Sequence, residues 1–277
     1  MWSASSASSS RVSFTRRGVN GGHPVVFLHG WPSSNREQFA SDTLLQSLYL
    51  DWFSPNRPGY GETAWQKDHD LLDWPKRLNS WADEQCLDRF HLVGYSGGGP
   101  FAMACAYKIP ERLQSLTLIA SLAPQHGPWT RIHSLLLRRT PTLTHAGFRL
   151  LGAYRHRFPH RFARRAFRLL HPKDQALLSE LNFFPTLLEV QNDAFAQGTA
   201  HLVRDLQLYE GPWGFDPADI QVPTRLYVGS DDVQVPAACS YWLAGRIPNA
   251  KLTVYKGEAH YIPFTHAEEI LAPIVIP

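Results

Sequence analysis

The chain has 277 residues, 44% of them hydrophobic, and a formal net charge of +3. That is enough apolar content for one large core with a small accessory domain, and too little net charge to argue for nucleic acid. The cysteines Cys86, Cys105 and Cys239 form no C-x-x-C pair and no apolar run approaches the ~20 residues that span a bilayer, which excludes stable membrane insertion and speaks against a metal or disulfide framework.

Met1 to Gly18 is rich in serine, carries Arg11, Arg16 and Arg17 and holds no acid. Lacking the apolar centre of a secretory signal, it reads as a disordered tail over 1–18, or a misplaced start, of a cytoplasmic protein; its composition also suits an organelle transit peptide. Within it, Val12 and Phe14 alternate across Arg11–Arg16 and support one strand at most. Short apolar, β-branched runs then recur at Val25–Leu28, Leu50–Ser54, Phe90–Gly94, Leu116–Ala120, Thr224–Val228 and Leu252–Tyr255. Helical patterns fall between them near Ser34–Leu48, Leu71–Gln85, Gly98–Lys108, Pro236–Arg246 and Thr265–Leu271. Such alternation is the mark of an α/β fold with a mostly parallel, doubly wound sheet.

About 100 residues separate the fourth and fifth of the later runs, far more than the ~2–6 of an ordinary α/β connection. An excursion of that length must fold by itself, and its Leu, Phe and Arg spacing predicts amphipathic helices. A helical cap is therefore expected over 124–213, with the core domain formed by 19–123 and 214–277. Residues 124–172 contain ten arginines, no lysine and no acid, leaving 17 basic against 24 acidic residues elsewhere. The arginines read either as a solvated face or as an attractor of an anionic substrate or membrane surface.

Chemistry concentrates at Gly94-Tyr95-Ser96-Gly97-Gly98, between a strand and a small-residue helix. A serine on that bend points its hydroxyl out of the sheet, as a nucleophile requires. Serine needs a histidine base oriented by a carboxylate. Beyond the later strands stand Asp231-Asp232-Val233-Gln234-Val235-Pro236 and Gly257-Glu258-Ala259-His260, so the order is serine, acid, histidine. Asp231 and Asp232 both remain open as the acid, and His266 is a weaker alternative to His260.

With His29-Gly30-Trp31-Pro32 and Asn56-Arg57-Pro58-Gly59-Tyr60-Gly61, these motifs resemble the α/β-hydrolase superfamily, in its cap-bearing esterase and epoxide hydrolase-like branch. The resemblance runs from about Pro24 to Leu271. It implies that Ser96, Asp232 and His260 are catalytic, and that Trp31 and Gly97 supply the backbone N–H groups of an oxyanion hole. His29, Tyr95 and Trp129 are expected at the substrate pocket. Neither cofactor nor metal is implied. Serine, unlike the carboxylate of epoxide hydrolases and dehalogenases, would form a dead-end alkyl ether, so acyl transfer fits: hydrolysis of a small or medium carboxylic ester, neutral or anionic. Amide, lactone or C–C hydrolysis, acyl transfer to an alcohol, and a non-enzymatic receptor are the alternatives. Prolyl iminopeptidases usually carry Trp after the serine, where this chain has Gly97. The oligomeric state is not legible. Members of this family place two strands before the His-Gly strand, and here the first is expected to be missing, which exposes a sheet edge.

Overall fold

The structure, a computed structural model, describes residues 11–124 and 140–275. Its strands are β1 (Phe14–Gly18), β2 (His23–Leu28), β3 (Leu50–Pro55), β4 (Phe90–Tyr95), β5 (Leu113–Ile119), β6 (Thr224–Gly229) and β7 (Lys251–Tyr255). They form one sheet in the order β1-β3-β2-β4-β5-β6-β7. Only β1 is antiparallel to its neighbour; the other pairs are parallel.

Parallel strands covered on both faces read as continuous apolar runs, and all six residues of β4 are buried. The two-residue period of the strands sorts these side chains. Val26, Leu28 and Leu92 join a core with α2 (Asp73–Glu84) and α3 (Gly99–Lys108), where Trp74, Leu78 and Trp81 line one face of α2. Val25, Phe27 and Val93 face the opposite way, onto Leu45 of α1 (Asp42–Ser47) and Ile270 of the helix Ala267–Val275.

Two expectations need correction. The helix predicted over 34–48 is only α1, because polar side chains claim the backbone before it. Asn35 N–H donates to Asn56 Oδ1 (2.8 Å), Gly30 N–H donates to Glu37 Oε2 (2.7 Å), and Ser41 caps α1 by accepting from Leu44 N–H (3.1 Å). Residues 14–18, expected within a disordered tail, instead form β1, with Phe14–Gly18 paired to Pro55–Asp51 of β3. Among the described residues the sheet ends on β1. Its edge carries charge rather than apolar side chains: Arg16 pairs with Asp51 and Arg17 with Asp42, each at 2.7 Å. Charged edges discourage further strand pairing.

β5 and β6 are neighbours despite the chain between them, in register from Leu116↔Thr224 to Ile119↔Tyr227. The excursion thus returns to the strand it left. Its described helices are Pro141–Arg157, Pro159–Phe167, Pro172–Glu180, Phe184–Ala194 and Ala200–Glu210. The first four have proline in their opening two positions, where a missing N–H costs nothing and a fixed φ favours the turn. No helix among the described residues is long and apolar enough to cross a membrane.

Candidate active site

The site lies beyond the carboxyl ends of the strands, where open α/β sheets gather function. Ser96 follows β4 directly, with φ at +51°, a region that non-glycine residues rarely occupy. The bend closes only because its neighbours lack side chains. A Cβ on Gly98 would fall 2.1 Å from Leu28 O, and one on Gly94 2.8 Å from Ala102 Cβ. Ser96 is buried with 8% of its surface exposed. The turn 96–98 leads straight into α3, so the helix start directs N–H groups and positive partial charge toward the serine.

His260 and Asp232 meet after β7 and β6. His260 Nδ1–H donates to Asp232 Oδ2 at 2.7 Å, and Asp232 Oδ1 accepts from Gln234 N–H and Val235 N–H, both at 2.8 Å. A carboxylate only accepts, so this bond places the proton on Nδ1 and leaves Nε2 of the neutral ring unprotonated. Burial disfavours the imidazolium, but Asp232, with Asp174 and Glu37 beyond it, outweighs burial and holds His260 above the ordinary histidine range. Asp231 is exposed, accepts from the Ser230 hydroxyl (2.7 Å) and lies 3.9 Å from Lys173 Nζ. His266 stacks on Tyr255 (3.9 Å between ring centres) and faces Glu269. Of the alternatives left open, the structure thus joins Asp232 to His260.

Trp31 and Gly97 are also brought together. A Cβ on Gly97 would stand 2.8 Å from Trp31 Cβ and 2.6 Å from the Tyr209 hydroxyl. The space that a side chain after the serine would take is filled by Tyr209, from the helix Ala200–Glu210. The Trp31 indole N–H donates to Leu202 O of the same helix (3.2 Å).

Beneath that loop, Arg57 is fully buried. It donates to His29 O, to Gly30 O (3.2 Å) and to Asp205 Oδ2 (3.1 Å), which also accepts from the Tyr60 hydroxyl (2.7 Å). One guanidinium therefore ties the His-Gly loop to the last helix of the insertion. Asp205→Ala strands that charge out of water and is expected to destabilise the protein by about 3–5 kcal/mol, read from urea unfolding midpoints.

Two residues expected at the pocket are buried in the scaffold around the site. His29 is wholly buried; its Nδ1–H donates to Gly30 O (3.0 Å) and its Nε2 accepts from Arg57 N–H (3.4 Å). Burial, then Arg57, pushes its pKa well down, so it is a neutral brace. Tyr95 is 2% exposed and packs against the His260 ring at 5.1 Å between ring centres, donating to His260 O (3.4 Å). Trp129 lies outside the described residues.

Sequence reading missed Glu37, Asp174, Asp205 and Tyr209. Asp174, third residue of the helix Pro172–Glu180, is 3% exposed and accepts from His260 N–H (3.2 Å) and Tyr261 N–H (3.1 Å). Its neighbour Lys173 donates to Gly257 O. One helix of the insertion thus holds the histidine loop by its backbone. Glu37 is buried, which pushes its carboxyl up despite the bond from Gly30 N–H. No spacing pattern connects these residues to Ser96 or His260.

Residues 25–272 match the model of a family described as the alpha/beta hydrolase family. An uncharacterized hydrolase, YcgS, of Bacillus subtilis is 27% identical over 161 residues, 56% of this chain and 54% of that protein. The match thus spans about half the length of that curated relative. A pimeloyl-[acyl-carrier protein] methyl ester esterase of Neisseria meningitidis is 25% identical over 258 residues, 90% of each chain. Among solved structures, a bromoperoxidase from Bacillus anthracis superposes with a TM-score of 0.71 at 18% identity, over 96% of this chain and 95% of its own. At that identity it shares the fold alone.

Proposed function

The chain belongs to the alpha/beta hydrolase family, and on that premise we propose that it is a serine hydrolase cleaving a small or medium carboxylic ester through an acyl-enzyme on Ser96. The observation that carries this reading is the 2.7 Å bond from His260 Nδ1–H to Asp232, beyond the same sheet edge as a serine on a strained bend. His260 Nε2 takes the Ser96 proton as Oγ attacks the carbonyl, and Asp232 stabilises the imidazolium that forms. The N–H groups of Trp31 and Gly97 receive the developing oxyanion. His260 then protonates the leaving alcohol, and water releases the acid by the same steps. Ester cleavage is the reading supported by the relative that matches 90% of both chains and is described as a methyl ester esterase. A 2-hydroxymuconate semialdehyde hydrolase of Pseudomonas putida, 25% identical over 89% of this chain, keeps the alternative hydrolytic reactions as outcomes of the test. Tyr209 fills the space beside Gly97, the position at which the resemblance places a tryptophan in prolyl iminopeptidases.

In this reading the helices between β5 and β6 form a cap over the site. A fluorophosphonate probe should label Ser96, and p-nitrophenyl acetate should be turned over. Absence of labelling in folded protein would overturn the proposal.

Asp174 makes the cap part of the catalytic assembly, as a positioning residue. Activity needs neutral His260, so kcat/KM falls as pH drops through its raised pKa. The charged or titratable groups around His260 are Asp232, Asp174, Glu37, Tyr95 and Tyr261. Asp174→Asn removes one negative charge but keeps an acceptor, so the acidic limb should move down by roughly half a pH unit. Asp174→Ala frees the loop, and kcat should fall about tenfold or more with KM little changed. Full pH–rate profiles of both variants check this.

A further inference from the structure

A cleft of about 600 Å³ opens between the helix Pro141–Arg157 and residues 195–200, lined in part by His145, Arg149, Arg155, His156, Gln197 and Thr199. Ser96, Asp232 and His260 are not among its lining residues. Arg155 is unusual there: only 7% of it is exposed, yet no carboxylate pairs with it among the described residues. Its company is neutral. It donates to Asn192 Oδ1, its guanidinium lies 5.4 Å from the centre of the Phe195 ring, and its Nε–H meets no acceptor.

Three acids of the insertion are engaged elsewhere, Asp193 with Arg36 at 2.7 Å, Asp205 with Arg57 and Asp174 with the His260 loop, and no acid of the described residues forms a salt bridge with Arg155. Residues outside the described set contain no Asp or Glu at all. Burying an unpaired cation is costly and is normally relieved by a counter-charge. Burial also pulls the Arg155 pKa down, the direction expected of a cation without a partner.

We propose that this cleft is an anion-binding site, in which Arg155 and Arg149 receive the carboxylate or phosphate group of a small organic acid. A guanidinium matches such groups with paired N–H donors, which an ammonium does not, and this stretch of chain carries arginine without lysine. The proposal does not rest on Ser96 chemistry, because its test reads binding alone.

Thermal shift and calorimetry with inorganic phosphate and with succinate, at constant ionic strength, test it. At least one should bind saturably, with a dissociation constant of about 1 mM or tighter; phosphate alone points to a phosphorylated ligand, succinate alone to a carboxylate. Arg155→Met and Arg149→Met should each weaken binding at least tenfold, while Arg164→Met, an exposed arginine of the next helix, leaves it within twofold. Without anion, Arg155→Met should melt about 2–4 °C higher, since an uncompensated buried charge is gone. If Arg155→Met fails to fold, Arg149→Met decides. No saturable binding by either anion, or equal loss in all three variants, overturns the site.

Discussion

Ser96→Ala is expected to lower kcat for p-nitrophenyl acetate by about 10⁵–10⁶-fold, the scale on which triad members act as a unit. The variant removes one oxygen and keeps the same strained backbone, φ at +51°. Its melting temperature and secondary structure should therefore match the wild type. The N–H groups of Trp31 and Gly97 remain, so a small residual rate over water is expected. Fluorophosphonate labelling should vanish with the oxygen. A rate within tenfold of the wild type would place the chemistry somewhere other than the end of β4.

The second large effect separates neighbours in the chain. Asp232→Asn should reduce kcat about 10⁴-fold at neutral pH. An Asn oxygen can still accept from Gln234 N–H and Val235 N–H, so the loop keeps its shape. The amide NH₂ then faces Nδ1 and donates to it, which moves the imidazole proton to Nε2 and leaves no base for the serine. Asp231→Asn should change kcat less than threefold, because Asp231 is exposed and its carboxylate, among the described residues, meets Ser230 and Lys173 rather than His260. Steady-state kinetics on the two variants side by side decide it. The opposite ranking would mean that the observed bond is not the working one.

Much of this arrangement was legible because it is local. Val25–Leu28, Phe90–Gly94 and Thr224–Val228 stand out as strands since both faces of a parallel sheet are covered. Ser96, Asp232 and His260 stand out since each follows a strand within a few residues. The 34–48 stretch misled because its spacing suits a helix, while Ser34 Oγ accepts from Arg36 N–H, Asn35 N–H donates to Asn56 Oδ1 and Glu37 accepts from Gly30 N–H. Residues that act across distance left no local trace. Asp174 reaches His260 over 86 positions and Arg57 reaches Asp205 over 148. His29 and Tyr95 sit near the right place, but their burial, which decides between lining a pocket and bracing a loop, depends on what the rest of the chain lays over them.

The bend that aims the serine has a consequence beyond catalysis. Holding a side chain in that conformation costs about 1–3 kcal/mol, which glycine would not pay. On the proposed reading, an inert version of this chain with glycine in place of Ser96 would be the sturdier molecule. The working form thus sits uphill of its own broken relative, and robustness screens on this fold would select steadily for the loss of what makes it useful.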